Sequence, residues 1–206
     1  MKKRLVILMS VILMAVSLQA QWNFGVKAGI DFANVNPTEL YGKTQMSIGP
    51  MAGAVVGYTI SDWIDIQAEP AYSRKGYKDK DLVVMSGVDG VDAQKFGLTV
   101  TADYVELPLL VKFYPFQNIG INVQAGPNVG LLINRSYKVG KDNDFDMPFN
   151  GSGDERFKFG MDFGIGYTAS MGMFIDLRYN LGLTNSYKDL KCFQDRTFAI
   201  QIGYMF

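Results

Sequence analysis

The sequence predicts an all-β fold, an eight-stranded antiparallel transmembrane up-and-down β-barrel with short periplasmic turns and long extracellular loops. Three observations predict it. Apolar and polar residues alternate along eight segments, and the connections between those segments are alternately short and long. After residue 20, no uninterrupted apolar run reaches the roughly 18 residues that a membrane-spanning helix needs.

The first 20 residues have the layout of a secretory signal peptide. Lys2, Lys3 and Arg4 precede an apolar run over residues 5–18, and Ala20 supplies a small residue before Gln21. We therefore expect residues 1–20 to be a signal peptide and residues 21–206 to form one outer-membrane barrel domain. A permanent membrane anchor is the alternative, but the apolar run is short for a spanning helix.

The composition excludes several functional classes. The 20 basic and 20 acidic residues balance, and removal of Lys2, Lys3 and Arg4 leaves 17 basic against 20 acidic, so no nucleic-acid partner is expected. Histidine is absent, which removes the commonest general base and zinc ligand. The single cysteine, Cys192, cannot form a disulfide within the chain.

The eight predicted strands are read from residues two positions apart. In chain order they cover residues 23–32, 46–59, 64–73, 104–113, 119–133, 157–168, 175–182 and 198–206. In the fourth strand, Val105 to Phe113 form an apolar face, while Glu106 and Lys112 lie on the opposite face. The second strand alternates less clearly, and Gly49, Gly53 and Gly57 mark its small face.

The connections and aromatic residues distinguish the two ends of the barrel. Short turns are predicted at 60–62, 114–118 and 170–172, and long loops at 34–45, 76–99, 134–154 and 185–195. Aromatic girdles mark membrane interfaces. The short-turn girdle is predicted to contain Trp22, Tyr58, Trp63, Phe113, Tyr114, Tyr204 and Phe206, and the long-loop girdle Phe32, Tyr72 and Phe157.

A soluble sandwich or lipocalin-like barrel is the serious alternative, with the charged faces in water and the apolar faces in a core. The long continuous apolar faces and the terminal aromatics favour the membrane barrel. Eight strands enclose only enough room for side chains. We therefore predict a polar network filling the lumen, formed by Lys27, Asp31, Asp65, Glu69, Glu106, Lys112, Lys158, Asp162, Asp176 and Arg178.

Four prolines fall within the predicted strands, at positions 50, 70, 108 and 127. Each removes a backbone donor from a ladder, and a closed barrel has no free edge where that loss would be harmless. Bulges are the expected solution at Pro108 and Pro127.

The segments "FGVKAGIDFANV", "IGPMAGAVVGY", "YVELPLLVKFYPF", "AGPNVGLL" and "FAIQIGYMF" resemble the small outer-membrane β-barrels of Bacteroidota-type bacteria. These barrels are often labelled porin-family, or PorT-like after a secretion accessory. The resemblance covers the mature chain and implies its fold and outer-membrane location. Tyr204 and Phe206 are similar to the C-terminal signal that the barrel-assembly machinery reads, which makes that machinery an expected partner.

Other motifs have simpler explanations than their functional ones. "GIGYTA" (164–169) matches a dinucleotide-binding pattern, but another strand follows it where a helix is required. "DNDFD" (142–146) lacks the glycine and glutamate of a calcium loop. The inward carboxylates are explained by a salt-bridge network, and Cys192 by an incidental free thiol. No catalytic residue, cofactor or metal site is predicted.

The sequence therefore predicts a structural or interaction protein, or an envelope-assembly or secretion accessory, that contacts a protein partner through its extracellular loops and is surrounded by outer-membrane lipid. Binding or passage of small hydrophobic molecules is the alternative. A lipid-modifying barrel enzyme is disfavoured by the absence of histidine.

Overall fold

The computed structural model describes residues 22–35, 45–84, 94–116, 118–139, 143–145, 156–185 and 194–206. The described residues contain ten β-strands: β1 Trp22–Val35, β2 Gln45–Ser61, β3 Ile64–Ala68, β4 Ala71–Val84, β5 Gln94–Phe116, β6 Ile121–Val139, β7 Asn143–Phe145, β8 Phe157–Thr168, β9 Met173–Asn185 and β10 Gln194–Met205. Within this part of the chain, no helix is long and apolar enough to cross a membrane.

The strands form a closed antiparallel ring. With β3 and β4 counted together and β7 set aside, each strand pairs with its neighbours in sequence, and β1 pairs with β10 from Gly25 opposite Met205 to Val35 opposite Asp195. β3 and β4 pair with the same two strands, β2 and β5, and the register of β3 continues into β4 across Glu69 and Pro70. They are two halves of one strand, so the ring has eight strands, with the short β7 added outside β6. The predicted fold class is confirmed.

The polarity of this barrel is the reverse of that of a soluble protein. On β5, the outward side chains Val105, Leu107, Leu109, Val111 and Phe113 are 41–49% exposed. The inward Lys112, by contrast, is 2% exposed. Among the described residues, buried polar side chains outnumber buried apolar ones. Apolar rows exposed around the outer face of the barrel require a lipid environment, because soluble monomers rarely expose large apolar patches.

The predicted bulges at Pro108 and Pro127 are wrong. The β5–β6 register is unchanged from Pro108 opposite Asn128 to Val111 opposite Ala125, and Pro127 pairs in register with Met161 of β8. Pro108 still accepts a hydrogen bond from the Glu69 amide at 3.1 Å. A proline removes one donor but leaves the side-chain alternation intact, so the ladder is interrupted locally and no extra residue is needed.

The long connections are shorter than predicted. Residues 76–84 continue β4 and pair with 94–101 of β5, and residues 134–139 continue β6. Backbone pairing extends these strands past the point where the apolar alternation stops. The third short turn lies at 170–172 as predicted, but the first two are displaced to 62–63 and 118–120, because β2 continues to Ser61 and β5 to Phe116. Gly120 (φ 78°) and Gly172 (φ 90°) occupy the left-handed conformation that two of these turns require.

Outward aromatic pairs lie at the short-turn end. Trp22 packs edge-on to Tyr58 with 5.1 Å between ring centroids, and Trp63 stacks on Phe113 at 6.2 Å. Tyr114 was assigned to this girdle incorrectly. It shares the inward phase of Lys112, and its phenol lies beside Asp65 and Thr168 inside the barrel. The strand alternation decides this orientation, because successive side chains point to opposite faces.

Candidate functional site in the barrel lumen

A bidentate ion pair crosses the lumen at mid-height. Arg178 of β9 donates from Nη1 to Glu69 Oε2 at 2.5 Å and from Nη2 to Glu69 Oε1 at 2.8 Å. Three strands separate Glu69 from β9 in either direction around the ring, so the pair spans the full diameter. Glu69 is fully buried and Arg178 nearly so. Such fork-to-fork pairs combine strength with fixed geometry.

Three further charged side chains join this pair. Lys27 Nζ donates to Glu69 Oε2 at 2.5 Å, and Arg178 Nη2 donates to Asp176 Oδ2 at 2.8 Å. Lys112 Nζ reaches Asp176 Oδ2 at 3.2 Å and also lies 5.2 Å from the centre of the Phe174 ring. We call Lys27, Glu69, Lys112, Asp176 and Arg178 the crosspiece. It holds three cations and two carboxylates.

Two carboxamides complete the crosspiece. Gln124 Oε1 accepts from Arg178 Nε at 3.1 Å, and Gln201 Oε1 accepts from Lys27 Nζ at 3.2 Å. Each carboxamide projects inward from its strand, on β6 and β10 respectively. The crosspiece and its carboxamides thus draw side chains from most of the ring, and they lie across the lumen.

A second, more acidic layer lies on the long-loop side of the crosspiece. Lys75 Nζ pairs with Glu106 Oε1 at 2.5 Å. Asp31 Oδ2 accepts from the Ser73 hydroxyl at 2.5 Å, and Asp162 Oδ1 accepts from the Asn180 amide. Among the described residues, neither aspartate forms an ion pair, so this layer carries three carboxylates and one cation.

The other two predicted lumen residues lie toward opposite ends. Lys158 Nζ lies 4.7 Å from the centre of the Tyr104 ring near the long-loop mouth. Asp65 is partly exposed beside Tyr114 at the short-turn end. All ten predicted residues therefore lie on inward positions, but Asp65 and Lys158 belong neither to the crosspiece nor to the acidic layer.

Sequence reasoning missed Lys75. Its signal was present, because Lys75 continues the inward phase of Gln67, Glu69 and Ser73, but the strand was predicted to end too early. Glu106 and Lys112, which lie on the same inward face of β5, have different partners. Glu106 pairs with Lys75, and Lys112 pairs with Asp176.

The remaining lumen space is small and polar. One small space above the crosspiece is lined by Asp31, Lys75, Asp162 and Thr197 among others, and a neighbouring one adjoins the long-loop mouth. Asn128 lines both, and its buried Oδ1 has no hydrogen-bond partner, like Thr197 Oγ1. Buried polar atoms of this kind are usually satisfied by ordered water.

Several predicted features lie outside the described residues. These are the signal peptide 1–20, Cys192, and Asp142 and Asp146 of the acidic segment 142–146. In the described part of the chain, no group of three acidic or cysteine side chains could hold a metal ion.

The proposed assembly signal lies at the short-turn end, where Tyr204 is outward and the Phe206 amide donates to Phe24 O at 2.8 Å.

The ring, its outward apolar rows and its polar interior define a small membrane-spanning β-barrel. Residues 17–188 match the family model described as "Outer membrane protein beta-barrel domain". The chain therefore belongs to this outer membrane protein family, and it is located in the outer membrane. No curated protein sequence matches the chain.

Three solved barrels have similar overall structures at low sequence identity. Neisserial surface protein A (NspA) is 15% identical, with 89% of this chain and 97% of that one covered and a TM-score of 0.46. Ail, the attachment invasion locus protein of Yersinia pestis, solved with sucrose octasulfate, is 13% identical, with 90% and 99% covered and a TM-score of 0.48. OprG from Pseudomonas aeruginosa is 13% identical, with 90% and 96% covered and a TM-score of 0.43.

Proposed function

We propose that this barrel is a non-conducting membrane scaffold that acts by interaction at its extracellular end, in the manner of an envelope-assembly or secretion accessory such as the PorT-like barrels. The crosspiece carries this proposal. A solute moving through the lumen would have to separate Arg178 from Glu69, and breaking a buried ion pair costs several kcal/mol. The charged lining also offers a hydrophobic molecule no apolar path along the lumen.

The extracellular end is asymmetric, which supports a role in recognition. Residues 76–84, 94–101, 135–139 and 143–145 continue the backbone pairing beyond the membrane on one side of the barrel. We call this extension the raised wall. Segment 85–93 joins β4 to β5, and segment 146–155 follows β7. Connecting segments on a rigid scaffold are the usual place for binding residues.

Partner capture by loop-replaced variants tests the interaction role. We expect crosslinking in intact outer membranes to link the protein to a specific partner, and replacement of 85–93 or 146–155 by a short Gly-Ser linker to abolish that link. Replacement of 186–193, which joins β9 and β10 across the ring from the raised wall, is the matched control and should preserve it. Crosslinks that survive both wall replacements would place the interaction surface elsewhere and contradict this part of the proposal.

A further inference from the structure

A polar cluster lies on the outer wall of the barrel, where the flanking rows are apolar. Asp103 Oδ1 accepts from Arg74 Nε at 2.7 Å and from the Tyr72 hydroxyl at 2.6 Å. Asp103 Oδ2 accepts from Arg74 Nη2 at 3.3 Å and from Asn134 Nδ2 at 3.4 Å. We call Tyr72, Arg74, Asp103 and Asn134 the outer polar cluster. It spans β4, β5 and β6 and is separate from the lumen network.

The side chains of this cluster point outward because of the strand register. Asp103 is two residues from the lipid-facing Val105, and Arg74 lies directly opposite Asp103 in the β4–β5 ladder. The β5–β6 register shifts there, so that Asp103 pairs with Asn134 but Tyr104 pairs with Leu132. This bulge leaves Ile133 as an extra residue and turns Asn134 to the outer face, in line with the tendency of bulges to re-aim side chains.

The height of the cluster places it at the outer membrane interface. Strands tilted by about 40° climb about 2.5 Å per residue along the barrel axis. Counted from Trp63 in the short-turn girdle, Arg74 therefore lies about 28 Å higher, just beyond an apolar band that is about 25 Å tall. Val105 and Ile133 are exposed apolar neighbours on the membrane side, and the raised wall begins on the other side.

The chemistry of the cluster fits an anionic acceptor. A guanidinium has five N–H donors, and Asp103 receives two of those of Arg74. The Arg74 side chain is still 48% exposed, so donors remain at the edge that faces the lipid headgroups. Asp103 is saturated by its donors, and it fixes the orientation of the guanidinium. The pair is neutral overall, which favours close directional contact over long-range attraction.

We propose that the outer polar cluster binds the phosphate of a phosphorylated lipid headgroup in the outer leaflet, with Arg74 as the contacting residue and Asp103 as its positioning residue. Arginine binds phosphate through parallel, charge-assisted N–H···O bonds, and headgroup phosphates are concentrated at this depth. A lipid held there would lie against β4–β6 at the base of the raised wall.

Native mass spectrometry of the mature protein released from mild detergent, with diphosphorylated lipid A as the probe, tests this proposal. We expect Arg74→Gln to weaken retention of the lipid about tenfold and Arg74→Lys to weaken it less, because lysine keeps the charge but loses the fork. Arg196 is also an exposed arginine, but it lies on β10, and Arg196→Gln should leave retention of the lipid unchanged.

Two further arms identify the source of the phosphate. Dephosphorylated lipid A should bind the wild-type protein as weakly as the intact lipid binds Arg74→Gln. Millimolar inorganic phosphate should not displace the bound lipid, because the acyl chains contribute contacts with the apolar wall. Equal retention by wild type and a folded Arg74→Gln variant, equal binding of the dephosphorylated lipid, or displacement by free phosphate would overturn the proposal.

Discussion

Replacement of Glu69 by glutamine is expected to lower the free energy of unfolding by about 3–5 kcal/mol, since it leaves the buried Lys27 without a counter-ion and Arg178 with Asp176 alone. Glu69 is the only ion-pair partner of Lys27 among the described residues, and it accepts hydrogen bonds from two nitrogens of Arg178. Glutamine preserves the shape but removes the charge. Urea unfolding in lipid vesicles, followed by tryptophan fluorescence, measures the change.

Asp31→Asn is the matched control. Asp31 is similarly buried, but it accepts only from the Ser73 hydroxyl and forms no ion pair in the described part of the chain. Its replacement should cost about 1 kcal/mol, the scale of one hydrogen bond. The double variant Glu69→Gln/Arg178→Gln should be more stable than the sum of its single changes predicts. Equal small effects of Glu69→Gln and Asp31→Asn would show that the crosspiece does not stabilise the barrel.

Replacement of Leu107 by arginine is expected to lower the free energy of unfolding by about 2–4 kcal/mol, because the new charge enters the middle of the lipid band. Leu107 is 41% exposed on the outer face of β5, about 15 Å above Phe113 of the short-turn girdle by the rise of a tilted strand. The same vesicle-based unfolding measurement applies, with insertion efficiency as a second reading.

The depth of the substitution provides the control. Ile133→Arg lies on the outer face beside the outer polar cluster, near the interface, and should cost no more than about 1 kcal/mol. A harmless Leu107→Arg together with a strongly destabilising Ile133→Arg would contradict this placement of the barrel in the membrane, because residue 133 would then lie deeper in the lipid band than residue 107.

The outward and inward faces of the strands were predictable because side chains alternate strictly and only one face meets lipid. The same rule located Glu69, Asp176 and Arg178 inside the barrel. It could not identify their partners. The contact between Arg178 and Glu69 joins residues 109 apart in sequence, and it depends on how far the strands stagger when the ring closes.

The strand ends were predicted poorly for a related reason. Above the membrane both faces of a strand can be polar, so the alternation that marked residues 64–73 does not mark residues 76–84. There, backbone pairing between neighbouring strands sets the structure. The outer polar cluster was missed at the same boundary, since Arg74 and Asp103 fall just outside the predicted strands and Asn134 is turned outward by a bulge.

Single-channel conductance of the purified monomer in planar bilayers tests the central claim, that the crosspiece closes the lumen. We predict no stable open state for the wild-type barrel. Porins achieve a water-filled channel with 16 or more strands, whereas this ring has eight strands and its lumen is filled with side chains. Glu69→Gly/Arg178→Gly, which removes both halves of the diametric pair, should produce small, frequent openings. A stable, large conductance from the wild-type monomer would contradict the closed lumen and the function proposed from it.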